Sequence, residues 1–161
     1  MCYCLSSFDI ICLEPVGFVQ TEAVNEEVKD KNSISKIVFK EKYTEALQGI
    51  KEFSHLFVLF WLHKTSTKDR CILKVHPRGR SDMPLVGIFA TRTPNRPNPI
   101  GLTRVRLLNI EENIIIVQGL DAFNGTPVLD IKPFDSWDTT RDFQVPDWWK
   151  QLETEKRRHY F

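Results

Sequence analysis

The sequence predicts an all-β fold, a small and mostly antiparallel β-barrel with one or two short helices. Three observations carry this. Seven or eight short apolar runs succeed one another along the chain. Turn-forming residues separate many of them, as in an array of paired strands. The repeated long helices that a doubly wound sheet demands have no place between them.

In chain order, residues 1–13 read as an N-terminal extension. "EPVGFVQT" (14–21) starts a strand after Pro15. "EAVNEEVKDKNS" (22–33) is charged and has no apolar period, which predicts a mobile loop. "ISKIVF" (34–39) resumes a strand. In "EKYTEALQGIKEF" (41–53), Tyr43, Leu47 and Ile50 fall at helical spacing and predict a helix of about two turns. "HLFVLFWLH" (55–63) is apolar on both faces, the pattern of a strand covered on both sides. "RCILKVHP" (70–77) alternates until Pro77 ends it, and "LVGIFAT" (85–91), "LTRVRLLNI" (102–110) and "NIIIVQGL" (113–120) follow as strands. "EEN" makes a tight turn between the last two. "AFNGTPVLDIKPF" (122–134) turns at Asn124-Gly125 and then places Val128, Asp130 and Lys132 on one face, Leu129 and Ile131 on the other. The barrel domain is thus expected over 14–140, with a C-terminal tail at 141–161. "VPDWWKQLETEKRRHYF" in that tail can form a helix whose apolar side is Trp148, Trp149 and Leu152. That side is expected to dock on the body of the protein or on a second subunit.

At 161 residues the chain suits one domain that buries about two thirds of its unfolded surface. A charged fraction of 27% and net charge of +1 mean that a nucleic acid would be met by a local patch, not a global field. The apolar run at 56–62 is too short to span a bilayer, so no membrane partner is expected. Of the four cysteines, Cys2, Cys4, Cys12 and Cys71, three crowd the N-terminus. They form no disulfide framework and no four-ligand metal pattern, so reduced thiols and a cytoplasmic setting are the expectation.

Nucleotide and hydrolase motifs are missing: no glycine-rich phosphate loop, no G-x-S-x-G elbow and no H-E-x-x-H occurs. His55 and His63 are an even number of residues apart and share a face if one strand holds both. They are either satisfied histidines near strand ends or, for His63 beside Lys64, a ligand-facing pair. Asp121 and Asp130 flank the Asn-Gly turn, and an acid among apolar strand residues needs a partner or a task. The sharpest feature is "GIFATRTPNRPNPIGL" (87–102). Pro94, Pro97 and Pro99 stiffen it while Arg92, Arg96 and Asn98 project from it. It is either a rigid solvated turn or a pre-set recognition loop for carboxylate, phosphate or a base edge.

That loop, with "GIKEFSHLFVLFWLH" before it and "GLDAFNGTPVLDIKPF" after it, closely resembles the TsaA-like, or TrmO, family. Its members are tRNA N6-threonylcarbamoyladenosine methyltransferases that use S-adenosyl-L-methionine. The resemblance covers about Glu14 to Phe134, with the three blocks in the family's order. It implies a small β-barrel that binds the cofactor without a Rossmann fold, usually as a homodimer, and the tRNA anticodon loop as partner. It implies cofactor contacts at His63, Lys64, Arg92, Leu102, Gln118, Gly119, Leu120 and Asp121. Residues 22–30 depart from the pattern: many members carry proline and arginine there, and this chain is acidic. The chain also resembles the shorter, archaeal-type members.

Such a reaction removes a proton from a poorly nucleophilic nitrogen, for which His63 or Asp130 is a candidate base. The threonyl carboxylate of the substrate is a third possibility. Arg96 suits that carboxylate, because a guanidinium fork matches two oxygens at once. Two other readings stand beside this one. One is a barrel that binds RNA or another ligand without catalysis; the other is a methyltransferase for a different acyl-adenosine.

Overall fold

The computed structural model describes residues 11–158. In chain order the strands are β1 (Gly17–Gln20), β2 (Ile34–Phe39), β3 (His55–Trp61), β4 (Lys74–Val75), β5 (Val86–Gly87), β6 (Ile100–Glu111), β7 (Ile114–Gln118) and β8 (Pro127–Pro133). One α-helix, α1 (Asp147–Arg158), follows, and short 3-10 turns fill several connections. The chain forms two compact units. The first takes the chain up to His63 and again Gly101–Phe134; the second takes Lys64–Ile100 and the chain from Asp135 onward.

In the first unit six strands close a barrel in the order β1-β2-β7-β6-β3-β8. The β1–β2, β2–β7, β7–β6, β3–β8 and β1–β8 pairings are all antiparallel. Period-two alternation drives the closure, because every second side chain points inward. Val19, Ile37, Leu56, Val58, Val105, Ile115, Val117 and Val128 are fully buried there. Gly101 lets β6 pass tightly over the core: a Cβ at this position would lie 2.4 Å from Phe60 Cε2. The all-β expectation and the closed antiparallel barrel agree.

The backbone corrects two local readings and adds detail to a third. Residues 41–53 form no continuous helix but three 3-10 turns, Glu41–Tyr43, Glu45–Leu47 and Ile50–Glu52. The Thr44 hydroxyl bonds the Glu41 carbonyl, and Gly49 sits at φ +84°, so the α ladder is interrupted twice. The charged 22–33 segment contains a 3-10 turn, Asn25–Lys29, that buries Val28. Its ends are held by side chains: Val24 N donates to Glu27 Oε2, and Asn32 N to Asp30 Oδ1. On β8 a bulge resets the alternation. Leu59 opposes Asp130 while Phe60 opposes Val128, which leaves Leu129 unopposed. Val128 and Ile131 therefore both meet the core, and Asp130 and Lys132 face outward.

The second unit has a two-stranded sheet, β4 with β5, so the 70–77 and 85–91 runs contribute two strand residues each. Proline and glycine cut both runs short: Pro77 opens a 3-10 turn, and another covers Ile88–Ala90. Pro77, Met83 and Ile88 are buried in this unit, as is Leu152 of α1. The His76 Nδ1–H donates to the Met83 carbonyl at 2.7 Å. Arg80 joins the same loop to α1. Its Nε donates to Asp82 Oδ1 at 3.0 Å, and its Nη1 donates to Glu155. The guanidinium holds the Glu155 and Asp82 carboxyls below their usual range.

Candidate active site

Strand direction gathers one group of residues. β3 and β7 finish at the barrel end where β6 and β8 begin. His63 lies just past β3, Leu102 just inside β6, and Gln118–Asp121 where β7 runs out. Six of the residues assigned to the cofactor by resemblance thus share one end of the barrel: His63, Leu102, Gln118, Gly119, Leu120 and Asp121. Lys64, Arg92 and Arg96 belong to the second unit.

Each position has a local cause. Gly119 turns the chain at φ +83°, and a Cβ there would lie 3.1 Å from the Lys31 carbonyl oxygen, so only glycine fits without strain. Its N–H donates to the Ser33 carbonyl at 2.9 Å, which fixes the end of β7. Leu120 is buried and anchors the segment, while Asp121 is exposed. Leu102 is 59% exposed, an apolar side chain presented to solvent.

His63 and His55 do not share a strand face. β3 stops at Trp61, and the His63 N–H closes a tight turn on the Trp61 carbonyl at 2.8 Å. His55 instead packs against the edge of Phe134, with centroids 6.2 Å apart. The His63 Nδ1 lies 3.2 Å from the hydroxyl of Thr126, which is 2% exposed. Thr126 follows the Asn124-Gly125 turn, where Gly125 takes φ +76° and donates to the Val19 carbonyl. The turn therefore orients the histidine.

Asp130 has a partner. Its Oδ2 receives Lys132 Nζ at 2.8 Å, and its Oδ1 accepts the Ile131 N–H at 2.9 Å. The carboxylate raises the Lys132 pKa in turn. Both side chains are about half exposed on the outer wall, so this is a solvated ion pair, not a buried acid.

In the proline–arginine loop the two arginines differ. Arg96 turns back: its Nε donates to the Thr93 carbonyl at 3.0 Å and its Nη2 to the carbonyls of Ile88 and Thr91. Thr91 and Thr93 add a hydroxyl ladder, with Thr93 N bonded to Thr91 Oγ1 and Asn95 N to Thr93 Oγ1. Pro99 is buried and Ile100 is 38% exposed, so the proline anchors the loop. Arg92 is exposed. It lines a cleft of about 270 Å³ within the second unit, together with residues 89–91, Val145, Pro146, Trp148 and Trp149. Phe89 and Trp149 were missed by sequence reasoning as parts of one feature. The signal was a bare aromatic, Phe89, in the run that also holds Arg92.

Among the described residues no cluster of three or more His, Cys, Asp or Glu could hold a metal ion. Cys12 and Cys71 are exposed thiols, and Cys2 and Cys4 lie outside the described residues.

The chain has clear relatives. It is 43% identical over 123 residues to a probable S-adenosyl-L-methionine-binding protein of Methanocaldococcus jannaschii, covering 76% of this chain and 90% of the relative. It is 45% identical over 89 residues to a human tRNA (adenine(37)-N6)-methyltransferase, covering 55% of this chain but 20% of the human protein. A crystal structure of TrmO superposes with a TM-score of 0.69 at 28% identity, over 86% of this chain and 64% of the solved one. The chain therefore spans under two thirds of that TrmO chain. Residues 19–138 match the family described as the tRNA-methyltransferase O N-terminal domain, and the chain belongs to that family.

Proposed function

We propose that the protein is an S-adenosyl-L-methionine-dependent tRNA methyltransferase acting on the 6-amino nitrogen of an adenosine, and that this base is threonylcarbamoyladenosine next to the anticodon. The observation that carries the reading is the gathering of His63, Leu102 and Gln118–Asp121 at one barrel end. This occurs in a family whose matched relatives are named as cofactor-binding proteins and tRNA methyltransferases.

The residues at that end fit an adenosyl cofactor. Leu102 offers exposed apolar surface to a ring face, and Asp121 a carboxylate for hydroxyls or a cation. S-adenosyl-L-methionine, when bound, supplies the methyl group, which passes to the amino nitrogen as the sulfonium becomes a neutral thioether. Methylation of that nitrogen frees a proton. His63 is the better placed acceptor, because its ring is oriented by Thr126 and an imidazole nitrogen can take up a proton. Asp130 is engaged by Lys132 and contributes charge balance on the outer wall. Arg96 shapes the loop, which leaves Arg92 to meet an anionic group. Alignment of the reacting groups then supplies several kcal/mol of the rate enhancement.

A homodimer is part of the proposal. Leu108 of β6 is 43% exposed, an apolar side chain suited to burial against a second copy. Sedimentation showing a monomer at high micromolar concentration removes that part alone.

The test of the main reading is calorimetry with S-adenosyl-L-methionine followed by single-turnover methyl transfer to tRNA. Binding and transfer are expected, with His63→Ala slowing transfer more than it weakens cofactor binding. Cofactor binding without transfer to any tRNA would leave a ligand-binding barrel in place of the enzyme.

A further inference from the structure

The cleft in the second unit has aromatic residues that the proposed methyl transfer does not use. Its lining includes Phe89, Trp148 and Trp149, with Val145, Pro146 and Arg92. The two tryptophan rings meet edge to face, 5.9 Å between centroids. Phe89 is 80% exposed although its neighbour Ile88 is 2% exposed. The 3-10 turn explains the contrast, since three residues per turn send successive side chains in different directions. Ile88 anchors the turn, its N–H bonded to the Leu73 carbonyl at 3.1 Å, and Phe89 is held out in water by a fixed backbone. A large apolar ring held in solvent beside two tryptophans needs an occupant.

Size and charge narrow the occupant. At about 270 Å³ the cleft falls just below the roughly 300 Å³ at which sites for drug-sized ligands begin. That size suits one ring system. Aromatic rings with a guanidinium beside them match a stacked base and its phosphate, because stacking tolerates any base and the arginine adds charge. Arg96, four residues after Arg92, is less suited, since its Nε and Nη2 already donate to loop carbonyls.

We propose that this cleft takes one unpaired nucleobase from the single-stranded loop of the RNA substrate, other than the base that is methylated, with its phosphate on Arg92. This rests on the tRNA methyltransferase reading. The test uses the full chain and a fluorescent anticodon stem-loop RNA, with binding read by anisotropy. Phe89→Ala and Trp149→Ala are expected to weaken RNA binding roughly 5- to 100-fold, the range for loss of one stacked base. Trp149→Phe, which keeps a stacking ring, should restore most of it. Calorimetric affinity for S-adenosyl-L-methionine without RNA should stay at the wild-type level in all three, which also shows that they fold. Phe89→Ala keeps the test sound if Trp149→Ala does not fold, since Phe89 is the more exposed. If both alanine variants bind the stem-loop normally while the wild type methylates tRNA, the cleft assignment is overturned and the methyltransferase reading stands. It is equally overturned if they lose the cofactor instead. A wild type that methylates no tRNA overturns the reading, and the cleft assignment with it.

Discussion

Gly101→Ala probes how tightly β6 crosses the core. The added Cβ would lie 2.4, 2.5 and 2.9 Å from Phe60 Cε2, Cζ and Cδ2, all closer than carbon atoms tolerate. Phe60 is 3% exposed and cannot swing into water, so the ring or the strand must move. Overpacking of this kind costs about 1–3 kcal/mol. For a chain of this size, that corresponds to a fall of about 2–12 °C in melting temperature. Because Leu102 is the next residue, the strain also reaches the barrel end where the cofactor contacts are proposed, and affinity for S-adenosyl-L-methionine should drop with stability. Calorimetric melting and titration measure both. The pair Gly101→Ala with Phe60→Leu should recover part of the loss, since a smaller side chain frees the space, and the double-mutant cycle should show coupling. An unchanged melting temperature for Gly101→Ala would falsify the packing argument.

Two further outcomes follow from side-chain contacts. Arg96→Lys keeps the charge but loses the fork that ties three loop carbonyls, so amide exchange at Thr93 and Asn95 should speed up about tenfold. Exchange at the wild-type rate means that the prolines alone hold the loop. Glu14 is held down to about 2 by hydrogen bonds from Lys42, Lys40 and Tyr43. A depressed carboxyl stabilises the fold above its ordinary value of 4.5 and loses that contribution as the pH falls toward about 2. Glu14→Gln should therefore flatten the acid limb of the stability profile in that window. The difference should shrink in high salt, since the pair is half exposed.

The barrel was legible because its strands obey simple rules. β3 and β7 carry unbroken aliphatic and aromatic runs, and a side chain of the wrong polarity would have nowhere to go inside. The 41–53 segment misled because helical spacing of three apolar residues says nothing of Gly49, whose positive φ ends any ladder. Face assignment on β8 failed for a different reason. A bulge depends on how two strands register, and neither sequence alone contains the offset at Leu129. The candidate site divides in the same way. His63, Leu102 and residues 118–121 were found through the resemblance, and topology then brings them to one end. The Thr126 hydroxyl behind His63 and the carbonyls that occupy Arg96 could not be read, since a hydrogen bond to backbone leaves no mark on residue type.

Closure of the barrel sets an order on its own formation. β1 pairs with β2 close by, and with β8 only after more than a hundred further residues, as the Thr21–Asn124 bond illustrates. A nascent chain leaving the ribosome can assemble β1 with β2 early, yet the seam cannot seal until β8 has been synthesised. Until then the inward face of the first hairpin stays open to water. The excursion from Lys64 to Ile100, between the strands β3 and β6 that adjoin in the barrel, adds little to this wait in free energy. The entropic cost of closing a loop grows only with the logarithm of its length. Its effect falls on rate, since distant pairings slow folding, and the sealing of β1 against β8 is the natural last step.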